Sequence, residues 1–145
     1  MSLSFIFNRA LEVAGVTMVV LSIGHVYIAR LLNWREDLKK LTPINEQVFY
    51  AHTLFIACGL LLLGSVMIFT PSVLVVRSML GMIANGCFAM CWLSRLIFQF
   101  VCFTGKIHDN KKVDTSLRLL STVLWLFYTV LFTALFLYQC GVLDD

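Results

Sequence analysis

Four blocks of about 20 or more mostly apolar residues divide the chain, and they limit its fold more than any other feature. They run over 13–32 (VAGVTMVVLSIGHVYIARLL), 48–69 (VFYAHTLFIACGLLLLGSVMIF), 73–103 and 116–140. An α-helix rises about 1.5 Å per residue, so each block can cross a hydrocarbon core about 30 Å thick. Backbone inside lipid must bond to itself, which leaves helices or closed barrels. No strand-like alternation of comparable strength occurs. The expected architecture is therefore all-α, an integral membrane four-helix bundle built as one domain over residues 1–145. Composition agrees: 60% of residues are hydrophobic and 13% charged, with mean hydropathy +0.90, outside the usual range of soluble domains.

Helix ends carry their own signals. Thr42-Pro43 and Thr70-Pro71 each set a capping hydroxyl before a proline, and are expected to open the second and third helices. The third is expected to stop at Thr104-Gly105, and the fourth to run from near Asp114-Thr115-Ser116 to Gly141. Phe5 and Phe7 suggest an N-terminal segment lying in the interface before the first helix. In the 33–47 link, Asn33 and Glu36 have the spacing of a capping box, and a short interfacial helix with Leu38 and Leu41 toward lipid is expected. Trp34 and Trp125 suit aromatic anchoring and packing. The first apolar run is long enough to span and lacks a preceding basic region, so it does not read as a cleavable signal peptide.

Orientation follows from the basic residues. Arg30, Arg35, Lys39, Lys40, Lys106, Lys111, Lys112 and Arg118 fall on one side; Arg9 and Arg77 fall on the other. Short loops with this bias are cytoplasmic, so both termini are expected on the non-cytoplasmic side. The net charge of +3 sits at the ends of the apolar blocks, a pattern for topology and anionic headgroups rather than for nucleic acid. Cys58, Cys87, Cys91, Cys102 and Cys140 show no CxxC spacing and read as small apolar fillers rather than a disulfide framework or zinc site.

Against this background a few polar residues stand out. Arg95 is the only charge in the interior of the third block, with Gln99 one turn further on the same face. The carboxylates Glu12, Glu36, Asp37, Glu46, Asp109, Asp114, Asp144 and Asp145 are expected near the ends of spans or outside them, leaving Arg95 without an obvious acidic partner in the membrane. Three accounts of Arg95 stay open: snorkelling to headgroups, an inward lock on the bundle, and a site for an anionic or carbonyl-bearing ligand such as a quinone or lipid headgroup. His25 lies roughly 10 Å below the cytoplasmic end of the first helix and His52 roughly 6 Å below the start of the second. Each could donate a cross-helix hydrogen bond. Together they could ligate haem b or a metal, with Gly24 and Gly59 leaving room for a porphyrin edge. Tyr27, Ser22, Ser121 and Thr122 offer further polar groups at related depths. His108, in the third loop, is expected to be exposed.

The stretches VFYAHTLFIACGLLLLG and WLSRLIFQF resemble small uncharacterised bacterial four-helix integral membrane proteins. In that group a Tyr-Ala pair opens the second span and an Arg with a Gln four residues later closes the third, as Tyr50, Ala51, Arg95 and Gln99 do here. The resemblance implies a four-helix fold in the bacterial inner (plasma) membrane and supplies no activity. Membrane enzymes of eicosanoid and glutathione metabolism share the length and span count, but the second span lacks the charged Glu/Arg/Asn pattern by which they hold glutathione.

Two functions follow as expectations. The first is a non-catalytic subunit or interaction protein of a larger membrane assembly, with a membrane-protein partner or further copies of itself in the bilayer. The second is a small redox or ligand-binding protein holding haem, quinone or lipid near His25, His52 and Arg95. No paired-carboxylate, Ser-His-Asp, Cys-His or phosphate-loop pattern indicates hydrolysis or phosphoryl transfer.

Overall fold

The computed structural model describes residues 2–31, 33–102, 105 and 111–143. Those residues form six helices and no strand: α1 (Leu3–Leu31), α2 (Trp34–Leu38), α3 (Pro43–Phe69), α4 (Ser72–Val75), α5 (Met79–Val101) and α6 (Lys111–Gln139). Four of them are long and apolar enough to cross a membrane, through Leu3–His25, Pro43–Phe69, Met79–Val101 and Lys111–Gln139. Several of their hydroxyls are discharged locally. Thr53, Ser65, Ser94, Thr122 and Thr129 each donate to the carbonyl four residues earlier, a way to carry a polar side chain through lipid without an outside partner.

The chain divides into two compact units, residues 12–70 and residues 1–11 with 71–145. In the first, α1 and α3 pack through Ala14, Gly15, Met18, Ser22, Gly64 and Met67, all buried. The backbones nearly touch. A Cβ on Gly15 would lie 2.7 Å from the Gly64 carbonyl oxygen, and one on Gly64 would lie 2.8 Å from that of Gly15. Seven residues further along α1, Ser22 Oγ donates to the Ala57 carbonyl, seven residues back along α3, at 2.7 Å. Both contacts therefore share one antiparallel register.

In the second unit α5 and α6 form the principal packed pair. Tyr128, Leu131, Phe132 and Leu135 are buried on α6. Phe132 meets Phe88 at 5.1 Å between ring centroids. Trp92 stacks on Trp125 and lies against Tyr128, and Phe7 from the start of α1 packs on Tyr138. A glycine closes α6. Gly141 has φ 73°, and the Gly141 and Val142 N–H groups reach back to the Tyr138 and Leu137 carbonyls, the Schellman arrangement that the sequence marks there.

Several boundaries differ from expectation. α1 begins at Leu3, so Phe5 and Phe7 belong to its first turns rather than to a separate interfacial segment. Glu12 consequently lies well inside α1 and not near the end of a span. Thr70 ends α3, its N–H and its hydroxyl both donating to the Val66 carbonyl. Pro71, which has no N–H to continue that ladder, stands at the N-cap of the next helix, α4, so a helix does open at this pair but lasts a single turn. The third apolar block is interrupted, because the chain leaves α4 at Val76 and starts again where Ser78, in extended conformation, accepts from the Gly81 N–H. α5 ends at Val101 with Cys102 as its cap; Thr104 of the expected stop lies outside the described residues. α6 is already helical at Lys111, ahead of the expected start.

The 33–47 link does contain a short helix, but with different contacts. Asn33 sits at φ 49° with no side-chain capping bond, a left-handed conformation that asparagine tolerates better than most residues. Glu36 pairs instead with Lys39 at 2.8 Å. Leu38 is buried while Leu41 is exposed, so the two do not share one environment. Trp34 meets Phe49 edge-on at 4.8 Å, which ties α2 to the start of α3.

Candidate functional site

Arg95 and Gln99 stand one turn apart on α5, on the side that α6 covers. Gln99 is buried and Arg95 half-buried. An Arg95 Nη1–H donates to Gln99 Oε1 at 3.2 Å, and the Gln99 amide donates onward to Ser121 Oγ at 3.2 Å. Ser121 in turn donates to the Arg118 carbonyl at 3.0 Å. The guanidinium carbon lies 4.8 Å from the centre of the Trp125 ring, within cation–π range. A charged residue on α5 is thereby tied to α6 by a relay and by a stack. The Trp125 indole Nε1 is buried without an acceptor among the described residues, which adds an unused donor close to the guanidinium.

Arg118, a turn earlier on α6, pairs with Asp114 at 3.0 Å and also donates to the Gly105 carbonyl. Two open grooves mark this unit's surface. One, of about 470 Å³, is apolar and includes Met82, Gly86, Cys87, Cys91 and Phe136; the other, of about 280 Å³, lies along Lys112, Ser116 and Leu120. Neither includes Arg95 or Gln99.

His25, His52 and Tyr27 belong to the 12–70 unit. Continuing the Gly15–Gly64 and Ser22–Ala57 register sets His25 level with Leu54 and Tyr27 level with His52. Their Cα atoms therefore stand within about 3 Å of one another along the helix axes, but the rings, each reaching back toward the N-terminus of its own helix, lean apart. Around the axes they differ. His25 continues the stripe of Ala14, Met18 and Ser22 and is half-buried, whereas His52 is exposed and Tyr27 is 63% exposed. Each ring uses Nδ1 on its own helix, at 2.7 Å from the Leu21 carbonyl for His25 and 2.8 Å from the Val48 carbonyl for His52. A carbonyl can only accept, so Nδ1 carries the proton and the Nε2 lone pair of a neutral ring stays open. No group of three or more metal-ligating side chains occurs among the described residues. Gly24 and Gly59 have nothing within 4 Å of an added Cβ; within this unit the glycines that allow close approach are Gly15 and Gly64. His108 lies outside the described residues.

Two further polar residues were hidden in apolar surroundings. Asn85 on α5 is fully buried, and Gln139 ends α6. The signal for Asn85 was its place in the run GMIANGCFAM, where an amide has no water to bond. Gln139 sits where a span ends and gave no comparable signal.

Comparison of the chain with protein-family models, with curated proteins and with solved structures found no match.

Proposed function

We propose that this is a small integral membrane protein that works by association, as a non-catalytic subunit or interaction partner in a larger assembly or with further copies of itself. The observation that carries this reading is the inward commitment of Arg95. Its guanidinium is engaged with Gln99, on the path to Ser121, and with Trp125, so the charge joins α5 to α6. The outward faces are aliphatic and aromatic, as at Phe55, Leu62, Leu80 and Leu120, and suit lipid or apolar helices of other proteins. The basic asymmetry supports both termini outside the cytoplasm, and the resemblance of the second and third spans supports a bacterial inner membrane.

Extraction in mild detergent followed by native mass spectrometry tests this reading. Stoichiometric protein partners or a defined homo-oligomer are expected. A monomer carrying only a chromophore or small molecule would overturn it.

A second reading rests on His25 and His52, whose Cα atoms lie at neighbouring levels of α1 and α3 and whose Nε2 atoms are open, which is the protonation pattern a haem or metal ligand needs. For Arg95 and Gln99 the corresponding ligand carries a carbonyl or phosphate, and the unsatisfied Trp125 N–H favours an acceptor. A Soret band in the purified protein would favour haem b over the association reading.

A further inference from the structure

The interruption between α4 and α5 gathers amide groups that the proposed function does not use. The Leu74 carbonyl, in the single turn of α4, accepts from Asn85 Nδ2 at 2.9 Å and from Gln139 Nε2 at 2.7 Å. Gln139 Nε2 also lies 3.4 Å from the Val76 carbonyl. The chain has left the helix at Val76, so these carbonyls depend on side chains for their donors. Gly81 makes room: a Cβ there would stand 2.6 Å from Gln139 Nε2 and 2.7 Å from its Oε1. Asn85 is one turn further along the same face of α5.

An amide donates on one side and accepts on the other. With both NH₂ groups directed to Leu74, Asn85 Oδ1 and Gln139 Oε1 point elsewhere, and both are buried without a donor among the described residues. Asn85 has no exposed surface at all. Two sealed acceptors beside one carbonyl are unfavourable unless something donates to them, and an apolar surrounding raises the cost.

We propose that Asn85 Oδ1 and Gln139 Oε1 line a binding site for one small neutral hydrogen-bond donor, a water molecule with one hydrogen to each oxygen. Charge argues for water over an alkali cation. Both ligands are neutral oxygens, fewer than a hard cation gathers when it gives up its hydration shell.

The test uses the full-length protein in lipid nanodiscs, with amide side chains of Asn and Gln labelled for NMR. Rotating-frame Overhauser cross-peaks from a long-lived water to the side-chain amides of both Asn85 and Gln139 are expected, unchanged between sodium, potassium and choline chloride. In Asn85→Leu the cross-peak at Gln139 should disappear; should that variant not fold, Gln139→Met, read at Asn85, gives the same comparison. Absence of water cross-peaks at both amides in the wild type overturns the proposal. So does a shift of either amide that saturates with sodium or potassium but not with choline, which would mark a cation site.

Discussion

The Arg95 guanidinium lies over Trp125, 4.8 Å from its ring centre, and so joins two helices through a charge that lipid would otherwise have to accommodate. An arginine at the centre of a span costs about 2.5–3.5 kcal/mol on the insertion scale, an upper bound for Arg95 in the last third of α5. The ring face and the Gln99 oxygen offset part of this, and both are shaped for a planar group. Arg95→Lys should therefore not restore the wild type, because an ammonium lacks the flat fork. A loss of about 0.5–1 kcal/mol is expected from the weaker stack. Arg95→Leu removes the charge but strands the Gln99 acceptor, at roughly 1–3 kcal/mol. Reversible unfolding in bicelles reads both. Equal stability of wild type, Lys and Leu would mean that Arg95 only snorkels.

At the α1–α3 crossing, Gly15→Ala or Gly64→Ala should destabilise by roughly 1–3 kcal/mol, since the new methyl meets a backbone oxygen that cannot turn aside. Gly24→Ala and Gly59→Ala meet nothing and should be neutral or stabilising by up to about 1 kcal/mol through helix propensity. Unfolding midpoints of the four variants check the contrast. A uniform response would show that the close crossing is not present in the bilayer.

Reporter fusions at Lys40 and Lys111 should read cytoplasmic, and fusions following residue 145 should read external. The eight-to-two distribution of basic residues carries this expectation. A cytoplasmic reading after residue 145 reverses the orientation.

The histidines are tested by colour. Under the association reading the purified protein shows no Soret band, and His25→Ala costs less than the roughly 0.6 kcal/mol of an average interhelical hydrogen bond, because the ring bonds to the Leu21 carbonyl of its own helix. If haem is bound through both rings, His25→Ala and His52→Ala each abolish the low-spin spectrum. A haem spectrum unchanged in either variant would remove bis-histidine ligation.

Two exposed ion pairs on and beside α2 predict a pH response. A hydrogen bond from Lys39, and then its charge, hold the Glu36 carboxyl below its ordinary range. That contribution is present above the unfolded-state value and is lost as pH falls through the folded one. Asp37 raises the Lys40 ammonium in the same way, a contribution complete below the unfolded-state value and lost as pH rises through the folded one. Backbone NMR shifts of 34–40 should thus be flat through neutral pH and move at both extremes. High salt should move both transitions back toward the ordinary carboxyl and ammonium ranges, since the pairs are exposed. Movement centred near neutrality would contradict the pairing.

The Arg95–Gln99 pair was legible because four residues along one helix bring side chains together whatever the tertiary structure. Thr70-Pro71 was legible only in part: α4 does open after Pro71, but Thr70 also closes α3. Proline suits both the first turn of a helix and the residue just past one, and only the bonds of Thr70 to Val66 reveal the second. Asn33 and Glu36 kept the spacing of a capping box, but the left-handed backbone at Asn33 replaced it with the Glu36–Lys39 pair.

Hydrophobicity is additive along a chain, so the four apolar blocks by themselves determined an all-helical protein with four helices able to cross a membrane. Partners between helices are not additive. Trp125 beneath Arg95, Gly15 against Gly64, and the shared bonding of Asn85 and Gln139 to Leu74 each depend on the register and rotation of two elements. Many registers bury similar apolar area, since one aliphatic face fits another with little preference. Close backbone approach and the need to satisfy each buried polar group separate them, and those conditions exist only once the helices are packed.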